Sequence, residues 1–136
     1  MKPLSAFYII PWAFLGLYGD IALHTIWLYP AALLAPIILG WYIGKRGKIA
    51  LALTGNLLSA AVSFVSTLAL GTDRWNAYCK PFGALGILLI LWLIALLVQA
   101  IIWRHYRKDH LTAILLWLSA LFLLLSPHLC QFLALI

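Results

Sequence analysis

Apolar residues run through this chain in long stretches, and only short polar connections separate them. Five segments result: Ser5 to Trp27, Leu28 to Gly44, Ile49 to Leu70, Ala84 to Trp103, and Leu111 to Ile136. Each of the last three holds about 20 residues or more, enough at 1.5 Å per residue to cross the roughly 30 Å of a bilayer's hydrocarbon. The first two adjoin at Tyr29-Pro30, which leaves the second with about 17 residues, the lower limit for spanning. A second parse makes residues 20–44 one Pro-kinked span and residues 4–18 a half-helix. The pattern predicts an all-α polytopic membrane helix bundle of five transmembrane helices, with four plus a half-helix as second choice.

Composition agrees with the pattern. Of 136 residues, 66% are hydrophobic and 9% charged, and Glu is absent. No Gly/Ser-rich or charged linker interrupts the chain, so residues 1–136 read as a single integral membrane domain with no separate catalytic or DNA-binding unit. A net charge of +6 would suggest nucleic acid in a soluble protein. Here the basic residues sit in short loops beside apolar spans, where they set orientation and meet membrane lipids, so no nucleic-acid partner is expected.

In the five-span parse Lys2, Lys45, Arg46, Lys48, Arg104, Arg107 and Lys108 share one side, against Arg74 and Lys80 on the other. That bias places the N-terminus in the cytoplasm and the C-terminus outside, as expected of a multi-pass protein of the cell membrane. Aromatic residues mark the same levels: Trp27, Tyr29, Trp75 and Tyr78 the outer boundary, Trp41, Tyr42, Trp103 and Tyr106 the inner one. No small-x-small cleavage pattern follows Lys2, so the first segment is read as a retained span.

Within the spans, polar residues are few enough to be weighed singly. Asp20 is the only one of three acids inside an apolar run, and His24 follows one helical turn later, on the same face of a continuous helix. A carboxylate at membrane depth normally faces a bundle interior or water-filled cavity and has a partner, which makes it a functional candidate. At comparable depth lie His128 and Gln131, just after Pro127, and Ser63, Ser66 and Thr67 of the third span. Turned inward together, these groups make one polar outward-facing cavity around Asp20 and His24. Asn56 and Gln99 form a smaller set on the inner side of the midplane, counted with the outer groups as candidate substrate- or ion-binding residues, with hydrogen bonding between helices as their structural role.

An Asp and two His in such a place can exchange protons near neutral pH, the equipment of a small transporter or channel-like protein coupled to protons or cations. Asp20 would carry the proton or ion, His24 and His128 would tune or share it, and Gln131, Ser63 and Ser66 would bond substrate or water. With Cys130 near His128 the same donors suit a transition metal, although their spacing matches no standard metal motif. The structural alternative is a local Asp20–His24 salt bridge that specifies packing. Phosphate-binding glycine loops, zinc-protease motifs and nucleophile motifs are absent, so no enzyme is expected; a lipid-acting intramembrane enzyme ranks third.

A competing class is a non-transporting accessory subunit of a larger membrane complex. Gly55, Ser59 and Ser63 recur every four residues and Gly40 and Gly44 do the same, giving faces where a helix approaches closely. The first set is also a candidate homo-oligomer contact. Cys79 and Cys130 fall on the same outer side, where a disulfide is an option and two free thiols the alternative. Cys79 lies in the outer loop from Gly71 to Gly83, which also holds Asp73 and Arg74 and is anchored by Trp75.

Overall fold

The computed structural model describes the backbone of residues 6–70 and 72–133 and the side chains of residues 6–70 and 75–128. Among these residues every regular element is helical. A 3-10 turn at Phe7–Ile9 precedes α1 (Trp12–Leu23), α2 (Leu28–Lys45), α3 (Ile49–Ala69), the short α4 (Thr72–Tyr78), α5 (Gly83–Tyr106) and α6 (His110–Leu133). Four helices are long and apolar enough to cross a membrane: Leu28–Lys45, Ile49–Ala69, Gly83–Tyr106 and His110–His128. The protein is a membrane-type helical bundle. Its surface is apolar, with Trp117 and Leu124 more than 70% exposed, as lipid-facing positions are in a bundle of this kind.

The first segment departs from the continuous span expected over Ser5–Trp27. α1 has 12 residues and a length of about 18 Å, too short to cross alone. Its N-terminal side is broken at Pro11, which lacks an N–H, and Ile10 ahead of it is extended (φ −69°, ψ 126°). A broken helix is tolerated at membrane depth only where its freed carbonyls find donors. Here the Ser59 hydroxyl and the Trp12 amide both donate to the Ile10 carbonyl, at 2.8 and 2.9 Å, and the Trp12 indole donates to the Phe7 carbonyl at 3.0 Å.

The broken segment nonetheless runs from one end of the bundle to the other. Tyr8 packs with Leu39, Ile43, Ile49, Ala52 and Trp103 near the basic turn that joins α2 to α3. Leu17 packs at the opposite end with Trp75, Cys79, Ala84 and Leu88. Residues 7–23 therefore accompany the four long helices as two stacked helical pieces. The four-plus-half-helix alternative describes the helix lengths, but the boundary is elsewhere. Asp20 lies in the last turn of α1 rather than at the start of α2, and the chain reverses at His24, whose φ of 51° ends α1.

Close backbone approaches hold the interior. The Tyr8 ring rests where Gly55 has no side chain, and Ser59 bonds the Ile10 carbonyl, so this face of α3 meets the chain's own N-terminal segment. Gln99 and Trp103 of α5 likewise fill the space left by Gly40 and Gly44 on α2, and the Trp103 indole donates to the Gly40 carbonyl at 2.8 Å. At the basic end the Arg107 guanidinium donates to the Gly47 carbonyl (3.1 Å), tying the two short turns together. Asp109 caps α6, accepting from the Thr112 amide (3.3 Å) and hydroxyl (2.7 Å). Among the described residues α6 packs extensively only on α5.

Candidate functional site

Asp20 is half-buried in the last turn of α1. One carboxylate oxygen accepts the Tyr29 hydroxyl from α2 at 3.0 Å, and the other accepts the Tyr78 hydroxyl from α4 at 3.2 Å. Three elements thus converge on one carboxylate, and the 24–27 reversal makes this possible by folding α2 back beside α1. Tyr78 lies outside the spans, and its phenol is pushed up, first by its hydrogen bond to Asp20 and then by that carboxylate's charge.

His24 does not share this site. The i, i+4 spacing brings two side chains together only while the helix continues, and α1 ends in between; His24 is exposed in the turn. His128 is exposed on α6, Ser66 is half-buried on α3, and the side chain of Gln131 lies outside the described residues. Ser63 and Thr67 are fully buried, and their hydroxyls donate to the carbonyls one turn earlier, of Ser59 (2.8 Å) and Ser63 (2.9 Å). The expected outer cluster therefore separates into the Asp20–Tyr29–Tyr78 clasp and a buried file of hydroxyls on α3.

Asn56 and Gln99 meet as expected. Asn56 Nδ2 donates to Gln99 Oε1 at 2.7 Å, and Gln99 Nε2 returns a bond to Asn56 Oδ1 at 3.2 Å. Both side chains are fully buried, so the reciprocal pair locks α3 to α5 in the centre of the bundle. Asn56 Nδ2 also donates to the Ala52 carbonyl (2.9 Å), and the Trp92 indole donates to the Asn56 carbonyl (3.2 Å).

Beside this pair is a cavity of about 20 Å³, lined by Trp12, Ala32, Pro36, Asn56, Ser59, Ser63 and Trp92 among others. A cavity that size holds about one water. Every side-chain donor on its wall is already committed: Trp12 to Phe7, Ser59 to Ile10, Ser63 to Ser59, Trp92 to Asn56, and Asn56 to Ala52 and Gln99. What the serine oxygens still offer is lone pairs. The cavity therefore suits an occupant that donates hydrogen bonds or carries positive charge, and it has no free side-chain donor for an anion.

Sequence reasoning missed three contributors. Tyr29 and Tyr78 were read as boundary aromatics, and their shared depth with Asp20 was the available signal. Tyr8 is the third: its hydroxyl is buried beside Gly55 and has no hydrogen-bond partner among the described residues. An orphaned hydroxyl at such depth is costly.

The remaining candidates are placed as follows. Cys79 is buried against Leu17, Trp75, Ala84 and Leu88, and burial, with a smaller effect of the Asp20 charge, pushes its thiol up to about 11. The side chains of Cys130, Asp73 and Arg74 lie outside the described residues. Trp75 does anchor the connection between α3 and α5, stacking on Phe14 at 6.0 Å. Among the described residues no three His, Cys, Asp or Glu side chains gather as a metal site requires. No family model, curated protein or solved structure matches this chain.

Proposed function

We propose that this protein is a small transporter of the cell membrane that moves protons or a small cation, with Asp20 as the outer acceptor. The observation that carries the reading is the water-sized central cavity whose wall donors are all committed, leaving acceptor lone pairs. In this conformation its volume excludes a bulky solute, and its polarity disfavours an anion. Asp20 at one end, the α3 hydroxyls and the orphaned Tyr8 hydroxyl toward the other supply acceptors along the bundle. The Asn56–Gln99 pair closes the centre, so its transient opening is the step that passes the ion. In this reading the protein performs no covalent chemistry.

The test is flux into vesicles reconstituted with the pure protein, with a pH-sensitive dye inside and an imposed potassium diffusion potential. Proton or sodium flux above that of empty vesicles is expected, with none for chloride. Asp20→Asn should lower it about a hundredfold or more, a loss on the order of one acid–base contribution, while the protein stays folded. Flux equal to empty vesicles, or unchanged in Asp20→Asn, overturns the proposal.

A second reading is favoured by the placement of α6, which packs extensively on α5 alone and leaves an apolar groove of about 520 Å³ between α3, α5 and α6. A subunit of a larger membrane assembly would present such a helix to a neighbour. It should co-purify with a stoichiometric partner, or as a homo-oligomer, and show no flux by itself.

A further inference from the structure

At the basic end of the bundle, α2 and α5 run side by side and enclose a groove of about 580 Å³. Its deep part is lined by Ile37 and Ile38 of α2 and Ile101 and Ile102 of α5; its mouth is lined by Trp41, His105 and Tyr106. The Trp41 indole donates to the Tyr106 hydroxyl at 3.3 Å, joining the two helices at the mouth. Above this pair stands the Lys45 ammonium, 5.5 Å from the Trp41 ring centre and 6.0 Å from that of Tyr106. Ile38, Trp41 and Lys45 are spaced by three and four residues, so they form one row along α2. The row covers about 10 Å from isoleucine to ammonium.

This order is the order of groups along a phospholipid. Isoleucines suit the acyl chain, the indole and phenol suit the glycerol and ester level, and the ammonium suits the phosphate. Charge selects the headgroup further. Lys45, Arg46, Lys48, Arg104, Arg107 and Lys108 gather at this end, and Asp109 is the only acid among residues 44–112 apart from Asp73 in the opposite connection. Arg104 and Arg107 are engaged with carbonyls of the turns, Arg46 lies over the Tyr42 ring at 4.4 Å, and Lys45 lies over the mouth of the groove. We propose that the α2–α5 groove is a specific site for an anionic phospholipid, its chain along the isoleucines and its phosphate on Lys45.

The experiment is native mass spectrometry of the purified chain titrated with phosphatidylglycerol against phosphatidylcholine of the same chain length. Preferential binding of about one phosphatidylglycerol per chain is expected, and Lys45→Gln should reduce the preference about fivefold, whereas Lys48→Gln on the exposed turn changes it by less than about twofold. Trp41→Ala should weaken both lipids, because it removes the wall and not the charge. Equal losses from Lys45→Gln and Lys48→Gln would reveal diffuse surface attraction and overturn the site. So would equal binding of the two lipids, or displacement by free glycerol phosphate, which would indicate a phosphate site without a chain. Because the readout is lipid occupancy, it stands or falls independently of ion flux.

Discussion

Replacing the two central amides one at a time and then together isolates what the lock between α3 and α5 contributes. Gln99→Met keeps the unbranched shape that fits against Gly40 and leaves Asn56 one surviving partner, the Ala52 carbonyl, so that Asn56 Oδ1 and one of its two N–H groups lose theirs while the Nδ2 atom keeps a bond. Asn56→Leu strips Gln99 of both bonds and orphans a donor and an acceptor together. Hydrogen bonds between membrane helices average about 0.6 kcal/mol and reach about 1.7. The two reciprocal bonds therefore contribute about 1 to 3 kcal/mol. Gln99→Met is expected to cost toward the lower figure and Asn56→Leu toward the upper. The double variant should cost less than the sum, because removing both partners leaves fewer polar atoms unpaired. Unfolding in mixed micelles titrated with sodium dodecyl sulfate, followed by helical circular dichroism, measures the cycle. A coupling within about 0.5 kcal/mol of zero, the ordinary scatter of independent sites, would refute the lock; so would Gln99→Met proving the costlier change.

Other expectations follow from single groups. Tyr8→Phe removes a buried hydroxyl that has no partner among the described residues, so the midpoint of the same titration should rise or hold, by up to about 1 kcal/mol, while proton flux falls; a clear loss of stability would show that the hydroxyl is satisfied. The Asp109 carboxyl is held below its usual range chiefly by the Thr112 hydroxyl bond. Its stabilisation is therefore fully present above the unfolded value of about 4 and is lost as pH falls through the lower folded value. Asp109→Asn should lower the melting temperature at neutral pH, with the difference from the parent shrinking in acid below that window; a constant difference would contradict the assignment. In a Cys130→Ser background, Cys79 should resist maleimide at neutral pH in the folded protein and react once unfolded, since its buried thiol ionises only near about 11; fast native labelling would sink that.

Much of the fold was legible, for one physical reason: a bilayer selects length and hydropathy before detail. The runs at Ile49–Leu70 and Ala84–Trp103 became α3 (Ile49–Ala69) and α5 (Gly83–Tyr106) because basic turns and a polar connection bound them. The first segment was misjudged because hydropathy reports the cost of transfer from water and not the continuity of a helix. The break at Pro11 is held by Ser59, 49 residues on from Ile10, which donates to the Ile10 carbonyl. The site divided in the same way. Asn56 and Gln99 were legible as a pair because buried amides at one depth have few alternatives. Asp20 and His24 were paired by a helical spacing that the chain does not sustain, and the actual partners, Tyr29 and Tyr78, come from elements that only the reversed turn and α4 bring near.

The break at Pro11 and the central cavity are two aspects of one arrangement. Trp12 and Ser59 serve both: each commits its donor to a carbonyl freed by the break, and each then stands in the cavity wall with no side-chain donor to spare. Pro11→Ala removes the obstacle to a continuous helix and so releases the Ser59 hydroxyl from the Ile10 carbonyl. Pro11 stands at the N-cap of α1, outside the helix interior where proline is costly, so the variant should be about as stable as the parent. The cavity, however, would gain a free donor and lose its bias toward positive charge, and cation flux should fall even though the fold is kept. A variant that is as stable and equally active would separate the break from function and return Pro11 to a purely structural role. Lower stability would mean instead that the interior is built around the break, with Tyr8 and Trp12 unable to keep their places along a straight helix.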